Sequence, residues 1–196
     1  MRWSIAELDE RCAAATCAER RERSRVVQVC VRPELNARAF PEVLELCPRR
    51  GAIGDRWERR TWMHLPDGSP DPRVQVALMD HRVLEFLQIL TGCSHHPGDT
   101  LLLDLDLHSD RLPIGARLQV GSAVIEISDV DNDGCGKFAA HYGADVLAWI
   151  RAPANRVKRL RGAFARVVQG GCVRKGDTVT LIAAAVTTTL PVTRPA

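Results

Sequence analysis

The sequence predicts a mainly β protein: a closed β-barrel with a few peripheral α-helices and an N-terminal helix. Three observations predict it. Short runs with an apolar residue at every second position recur along the chain, and glycine-bearing turns separate them. One pair of runs is joined by a two-residue turn of the hairpin type. The helical stretches do not alternate regularly with the strands, which argues for a barrel over a doubly wound sheet. The 196 residues are 45% hydrophobic and 26% charged. That usage excludes wholesale disorder, collagen and a coiled coil, and leaves room for one domain with an appended segment.

Taken in order, Ser4-Ile5-Ala6-Glu7 is a capping box, the serine accepting from the third amide and the glutamate reaching back. It opens a helix that runs to about Ser24, so residues 1–25 read as an N-terminal helical extension. Residues 26–186 read as the barrel domain. Its strands are Arg25–Val31, Arg73–Asp80, the alternating Leu103, Leu105 and Leu107, and the hairpin Arg117–Val120 with Ala123–Val130 across Gly121-Ser122. Further on come Ala163–Val168, Cys172-Val173 and Thr178–Ala183, the last after the turn Lys175-Gly176-Asp177. Helices are predicted at His81–Leu90 and, after a loop, up to Ile150. Residues 187–196 read as a frayed tail.

No apolar run approaches the roughly 18 residues of a membrane span, and the N-terminus has no apolar signal core, so the chain is expected to be cytoplasmic. Its seven cysteines, at 12, 17, 30, 47, 93, 135 and 172, are odd in number and form no C-x-x-C pair. That pattern fits free thiols rather than a disulfide framework or a zinc finger.

The net charge is +3, unevenly spread. Residues 61–150 hold five basic and thirteen acidic residues, whereas 151–196 hold nine basic and one acidic. The last quarter is therefore expected to form an anion-binding face, or simply a solvated mixed surface. Aromatics are only 5%, and none interleaves the basic cluster, so a small phosphorylated ligand suits it better than nucleic acid.

Among motifs, Asp129-Val-Asp131-Asn-Asp133-Gly134 resembles half a calcium loop, but the twelfth position is Ala140 rather than a bidentate carboxylate, so it reads as a polar turn. Cys93-Ser-His95-His96 reads as a plain loop with solvated histidines. Cys135 stands apart. Glycines on both sides let a bulky ligand approach it, and it sits where a helix begins; Lys137 favours its thiolate while Asp131 and Asp133 oppose it.

Several segments together resemble the MOSC domain, named for the C-terminal domain of molybdenum cofactor sulfurase. They are Gly51-Ala-Ile-Gly54-Asp55-Arg56-Trp57, the hairpin Leu112–Val130, the element Gly134-Cys135-Gly136-Lys137-Phe138, and the run Arg159-Leu-Arg161-Gly162-Ala-Phe-Ala-Arg166 with Gly176-Asp177. The resemblance is to the small stand-alone bacterial members and covers about residues 45–183. It implies a MOSC-type barrel and a cysteine that ligates the molybdenum of the pterin cofactor (molybdopterin) or carries sulfur; Cys135 matches that position, and a thiolate is a soft ligand suited to such a metal. It also implies cations for the cofactor phosphate, with Lys137, Arg161 and Arg56 as candidates. The alternative for Arg161 and Arg56 is a structural ion pair, for instance with Asp177 or Asp55.

Two departures bear on catalysis. Gly98-Asp99-Thr100 stands where larger members carry Gly-Glu-Asn, and Asn132-Asp133 stands where small members often carry a histidine. Pyridoxal phosphate, associated with sulfurase relatives, is not expected, because the chain lacks the large domain that cofactor needs. The implied activity is sulfur transfer, or reduction of N-hydroxylated substrates with an electron- or sulfur-donating protein as partner. The alternative is a non-catalytic binding module on the same barrel. Neither nucleic acid nor membrane is expected as a partner.

Overall fold

The computed structural model describes residues 3–16 and 24–183. The predicted frayed tail lies outside the described residues, as does Cys17. The capping box forms as predicted: Glu7 N donates to Ser4 Oγ at 3.2 Å and Ser4 N donates to Glu7 Oε2 at 2.8 Å. It opens α1, Ile5–Thr16, shorter than the predicted run to Ser24. Leu8 and Cys12 are its buried residues and dock it on the body.

Seven strands close the barrel: β1 (Ser24–Val29), β4 (Val76–Asp80), β5 (Leu101–Leu103), β6 (Arg117–Val120), β7 (Ala123–Asp131), β8 (Ala163–Gln169) and β10 (Thr178–Ala183). Around the barrel they follow the order β1-β10-β6-β7-β8-β4-β5. Every neighbouring pair is antiparallel except β4 with β5, which is parallel. A parallel pair needs a crossover of about a dozen residues or more. Helix α3 (His81–Thr91) supplies it, capped at its start by Asp80 and ended by Gly92 in the left-handed conformation. Three further strands, β2 (Val43–Cys47), β3 (Gly51–Ala52) and β9 (Gly171–Arg174), form a separate small sheet. Its Leu44, Leu46, Ala52 and Val173 join the barrel core.

Alternation explains the barrel. On β6, Leu118 and Val120 are buried while Arg117 and Gln119 are exposed. All five residues of β4 are buried, because both of its faces are covered: Val76 and Leu78 point into the barrel core, and Met79 points into a second core. That second core is built by α1, α3, α4 (Gly136–Tyr142) and α5 (Ala144–Arg151). A strand buried on both faces reads as a continuous apolar run. The β5 segment behaves likewise, and it ends at Leu103 rather than continuing to Leu107. The residues just before β4 form a short 3₁₀ turn, Pro72–Val74, where a strand is predicted. The single helix expected before Ile150 is two, α4 and α5, broken at Gly143 with φ 101°. Among the described residues, no helix is long and apolar enough to cross a membrane.

Candidate functional site

A cleft of about 810 Å³ lies between α4, the α2 turn (Trp57–Arg60), the loop His95–Asp99 and the start of β8. Cys135, Lys137, Arg161 and Arg56 all line it, although they come from three distant stretches of chain.

Cys135 is exposed and extended, φ −138° and ψ 175°, at the residue before α4 begins. Its turn is pinned from behind. Arg151 Nε donates to Asp133 O at 3.1 Å and Arg151 Nη2 donates to Gly134 O at 2.9 Å. Gly134 has φ 79°, and a Cβ there would meet Leu147 Cδ1 at 2.8 Å. Only glycine lets this turn press against α5 while aiming the next residue outward. By contrast Cys12 and Cys30 are buried, and burial pushes both thiols up to about 11. All six described cysteines are free.

Arg161 forms an ion pair, but with Asp99 and not with Asp177: Nη1 lies 2.7 Å from Asp99 Oδ1, with side chains 12% and 0% exposed. Its guanidinium carbon sits 5.1 Å from the centre of the Phe138 ring. Arg161 Nε and Asp99 Oδ2 are buried and have no hydrogen-bond partner among the described residues. The Asp55 carboxylate is taken by Arg32, whose backbone N, Nε and Nη2 lie 2.8, 2.9 and 3.1 Å from it, and by Trp57 N at 2.8 Å. Arg56 therefore makes no pair with Asp55. Neither Arg56 nor Arg60 has an acidic partner among the described residues. Lys137 Nζ donates to Asn36 Oδ1 at 3.1 Å, and Arg38 donates to the Ala37 and Pro97 carbonyls.

The expected anion-binding face in the last quarter is corrected by this arrangement. Among the described residues of that quarter, only Arg161 contributes a cation to the cleft. Arg151, Arg156, Lys158 and Arg166 face Asp133, Asp131, Asp9 and Glu126, and Arg159 donates to the Leu107 and Leu112 carbonyls. The basic segment thus folds against the acids of the first and middle segments, and the cleft draws its cations from Arg32, Arg38, Arg56, Arg60 and Lys137. The aromatic count also misleads, because Trp57, Trp62, Phe138, Tyr142 and Phe164 converge on this one cleft.

The predicted plain loop at Cys93–His96 holds more than solvated side chains. His95 stacks on His141 of α4, with ring centres 3.6 Å apart and planes within 8°. The Tyr142 hydroxyl donates to the His95 carbonyl. His96 packs edge-on to Phe40 at 5.2 Å, and its Nδ1 accepts from Gly98 N at 3.0 Å. Spacing could not signal this stack, since its members are 46 positions apart. Burial lowers the pKa of His95, and His141 and Arg38 lower it further; burial likewise lowers that of His96. A histidine with a depressed folded pKa stays neutral while the unfolded chain takes up the proton. Its contribution to stability is therefore complete above the ordinary value of 6.5 and is lost as pH falls through it. Acidification from neutrality should lower the denaturation midpoint, and His141→Gln should raise the His95 pKa as read by NMR titration. An unchanged His95 titration in that variant would refute the coupling.

Residues 98–180 match the family model of the MOSC domain. The match includes Asp99, Cys135, Lys137 and Arg161 and stops short of Arg56. Among solved structures, the YuaD protein of Bacillus subtilis is 17% identical with a TM-score of 0.57, over 82% of this chain and 96% of its own. YiiM of Escherichia coli is 17% identical with a TM-score of 0.56, over 84% of this chain and 72% of its own. YiiM of Geobacillus stearothermophilus is 15% identical with a TM-score of 0.55, over 82% and 75%. Among curated proteins no sequence matches. The closed seven-stranded barrel is thus similar in fold to these proteins, and its residues 98–180 resemble the MOSC domain.

Proposed function

We propose that the cleft binds the molybdenum cofactor, with Cys135 as the protein's thiolate ligand to the metal or as a carrier of sulfur. The observation that carries this reading is one exposed cysteine facing a large cleft whose cations Arg56, Arg60 and Lys137 have no acidic partner among the described residues. The residues fit such a group. No cluster of three or more His, Cys, Asp or Glu side chains arranged for a metal occurs among the described residues, so a bare divalent ion has no cage here. A metal arriving with its own chelating sulfurs needs only one soft protein ligand.

When bound, the cofactor would supply two-electron redox chemistry at the cleft. The chain's own residues do the rest. Lys137 and Arg56 meet the phosphate as point and forked donors. Arg161, neutralised by Asp99, orients rather than adds net charge. Reduction of an N-hydroxylated substrate to its amine takes up two electrons from a donor protein and two protons, and releases water. His95 and His141 are titratable groups on the cleft wall that can pass protons. Sulfur carriage would instead use the exposed Cys135 thiolate to attack the outer sulfur of a donor protein's persulfide. That breaks the donor S–S bond, leaves the donor as its thiol and puts the persulfide on Cys135 with no net oxidation.

Anaerobic co-expression with cofactor biosynthesis, followed by metal analysis, tests the reading. Wild type should carry molybdenum and Cys135→Ser should lose most of it. Iodoacetamide should label Cys135 of the folded protein faster than Cys12 or Cys30. Equal, low molybdenum in both proteins would instead favour a non-catalytic binding module.

A further inference from the structure

A second cavity, of about 450 Å³, lies between α1, the start of α3, the loop after β5 and the residues just before β8. It shares no lining residue with the Cys135 cleft. Cys12, Val83, Leu107 and Leu160 give it buried apolar walls. Four cations and three acids also line it, and three of the cations are paired. Arg82 Nη2 donates to Asp80 at 2.6 Å, Lys158 Nζ to Asp9 at 2.9 Å, and Arg111 lies 3.2 Å from Asp106. Arg159 is the exception: it has no acidic partner among the described residues. Its Nη1 donates to the Leu112 carbonyl at 2.6 Å and the Leu107 carbonyl at 3.4 Å. Its Nε and Nη2, the side-on fork of the guanidinium, donate to nothing among the described residues and are not sealed from solvent. The Arg159 backbone is left-handed, φ 47° and ψ 46°, a conformation that is uncommon outside glycine and recurs at ligand sites. Burial pushes its pKa down, and Asp131 opposes this from beyond ion-pair distance while itself facing Arg156 at 3.7 Å. A half-buried guanidinium with an open fork and no counter-charge is what a bound anion compensates.

We propose that this cavity binds a small organic monocarboxylate with an apolar body. The carboxylate closes the Nε–Nη2 fork of Arg159, a planar match that a guanidinium makes with two parallel hydrogen bonds. The body lies against Cys12, Val83, Leu107 and Leu160. Charge selects the class. Acids balance three of the four cations, which leaves room for one negative charge, and a dianion would face Asp9, Asp80 and Asp106. The apolar walls select against an ion with no body, because covering them supplies the hydrophobic part of the affinity. The volume lies within the usual range for a small-molecule site, roughly 300–1,000 Å³. The site stands apart from the molybdenum reading and needs neither the cofactor nor Cys135.

Calorimetric titration of the cofactor-free full-length protein with benzoate tests it, beside benzamide, acetate and phenyl phosphate. Benzoate should bind at one site. The neutral amide, the bodiless acetate and the dianionic phenyl phosphate should each bind about tenfold more weakly or worse. In NMR spectra the Trp149 indole N–H, which donates to Asp9 Oδ1 at 2.9 Å on the cavity wall, should shift with benzoate. Those of Trp57 and Trp62, in the Cys135 cleft, should not. Arg159→Gln removes the fork and should weaken benzoate about tenfold or more. Ala13→Trp decides even if that variant fails to fold. Ala13 is exposed on α1 and lines the cavity, so a bulky side chain there fills the space without disturbing the core, as circular dichroism should confirm. Undiminished benzoate binding by either folded variant, or none by the wild type, would overturn the proposal. So would acetate, benzamide or phenyl phosphate binding as tightly, or shifts at Trp57 and Trp62 in place of Trp149. None of these readouts involves molybdenum, so this site and the cofactor reading fail separately.

Discussion

Gly162→Ala is expected to cost more than about 4 kcal/mol, placing it in the exceptional tail of single substitutions. Gly162 has φ 106°, which an L side chain rarely adopts, and a Cβ there would sit 1.9 Å from the Leu78 carbonyl oxygen and 3.1 Å from its carbon. Those are backbone atoms of β4, paired with Ala163 of β8, so they cannot swing aside. Relief would require prising β8 from β4, which opens the barrel. Strain alone at such a conformation costs about 1–3 kcal/mol, and the overlap adds to it. Against a total stability of about 5–15 kcal/mol, the variant should denature at far lower urea, or fail to accumulate. Gly136→Ala is the control: nothing lies within 4 Å of its Cβ position and its φ is not positive. A Gly162→Ala protein that unfolds at the wild-type midpoint would show that the close approach does not exist in solution.

Removing Asp99 should be nearly as severe. Its side chain is fully buried and neutralises an arginine that is itself 12% exposed. Asp99→Ala leaves that guanidinium buried and uncompensated, a situation that typically costs about 3–5 kcal/mol. Replacing both partners by apolar residues of similar size, as in Asp99→Leu with Arg161→Met, should recover much of the loss, because neither charge then remains to be solvated. Equilibrium denaturation of the two singles and the double measures this. A double variant no more stable than Asp99→Ala would mean that the pair is not what holds this corner. Arg161 also lies beneath Gly134 and beside Phe138, so Asp99→Ala should loosen the Cys135 turn as well, read as altered alkylation of Cys135.

The capping box at Ser4 and Glu7, the hairpin around Gly121-Ser122 and helix α3 were legible because each is local. Their hydrogen bonds and apolar periods lie within a few residues of one another. The two-residue strand β3 and the separate sheet with β2 and β9 were not legible, since two residues carry no period and their pairing spans over a hundred positions. The continuous apolar run of β4 was legible as a strand, but its two-sided burial depended on which helices covered it.

The site divides along the same line. Cys135 stood out in the sequence because flanking glycines and a helix start are neighbours in the chain, and Lys137, Arg161 and Arg56 were recognisable from the motifs around them. The charge pairing was not: the basic last quarter looked like an anion site until folding set most of it against acids, and Arg161 met Asp99 rather than Asp177. The His95–His141 stack, the Trp62–Phe164 wall and the placing of Arg56 and Arg60 on the cleft arise only from tertiary contact. A local pattern specifies backbone geometry and which face is apolar, whereas the partner of a long polar or aromatic side chain depends on what the closed barrel brings within a few ångströms of it.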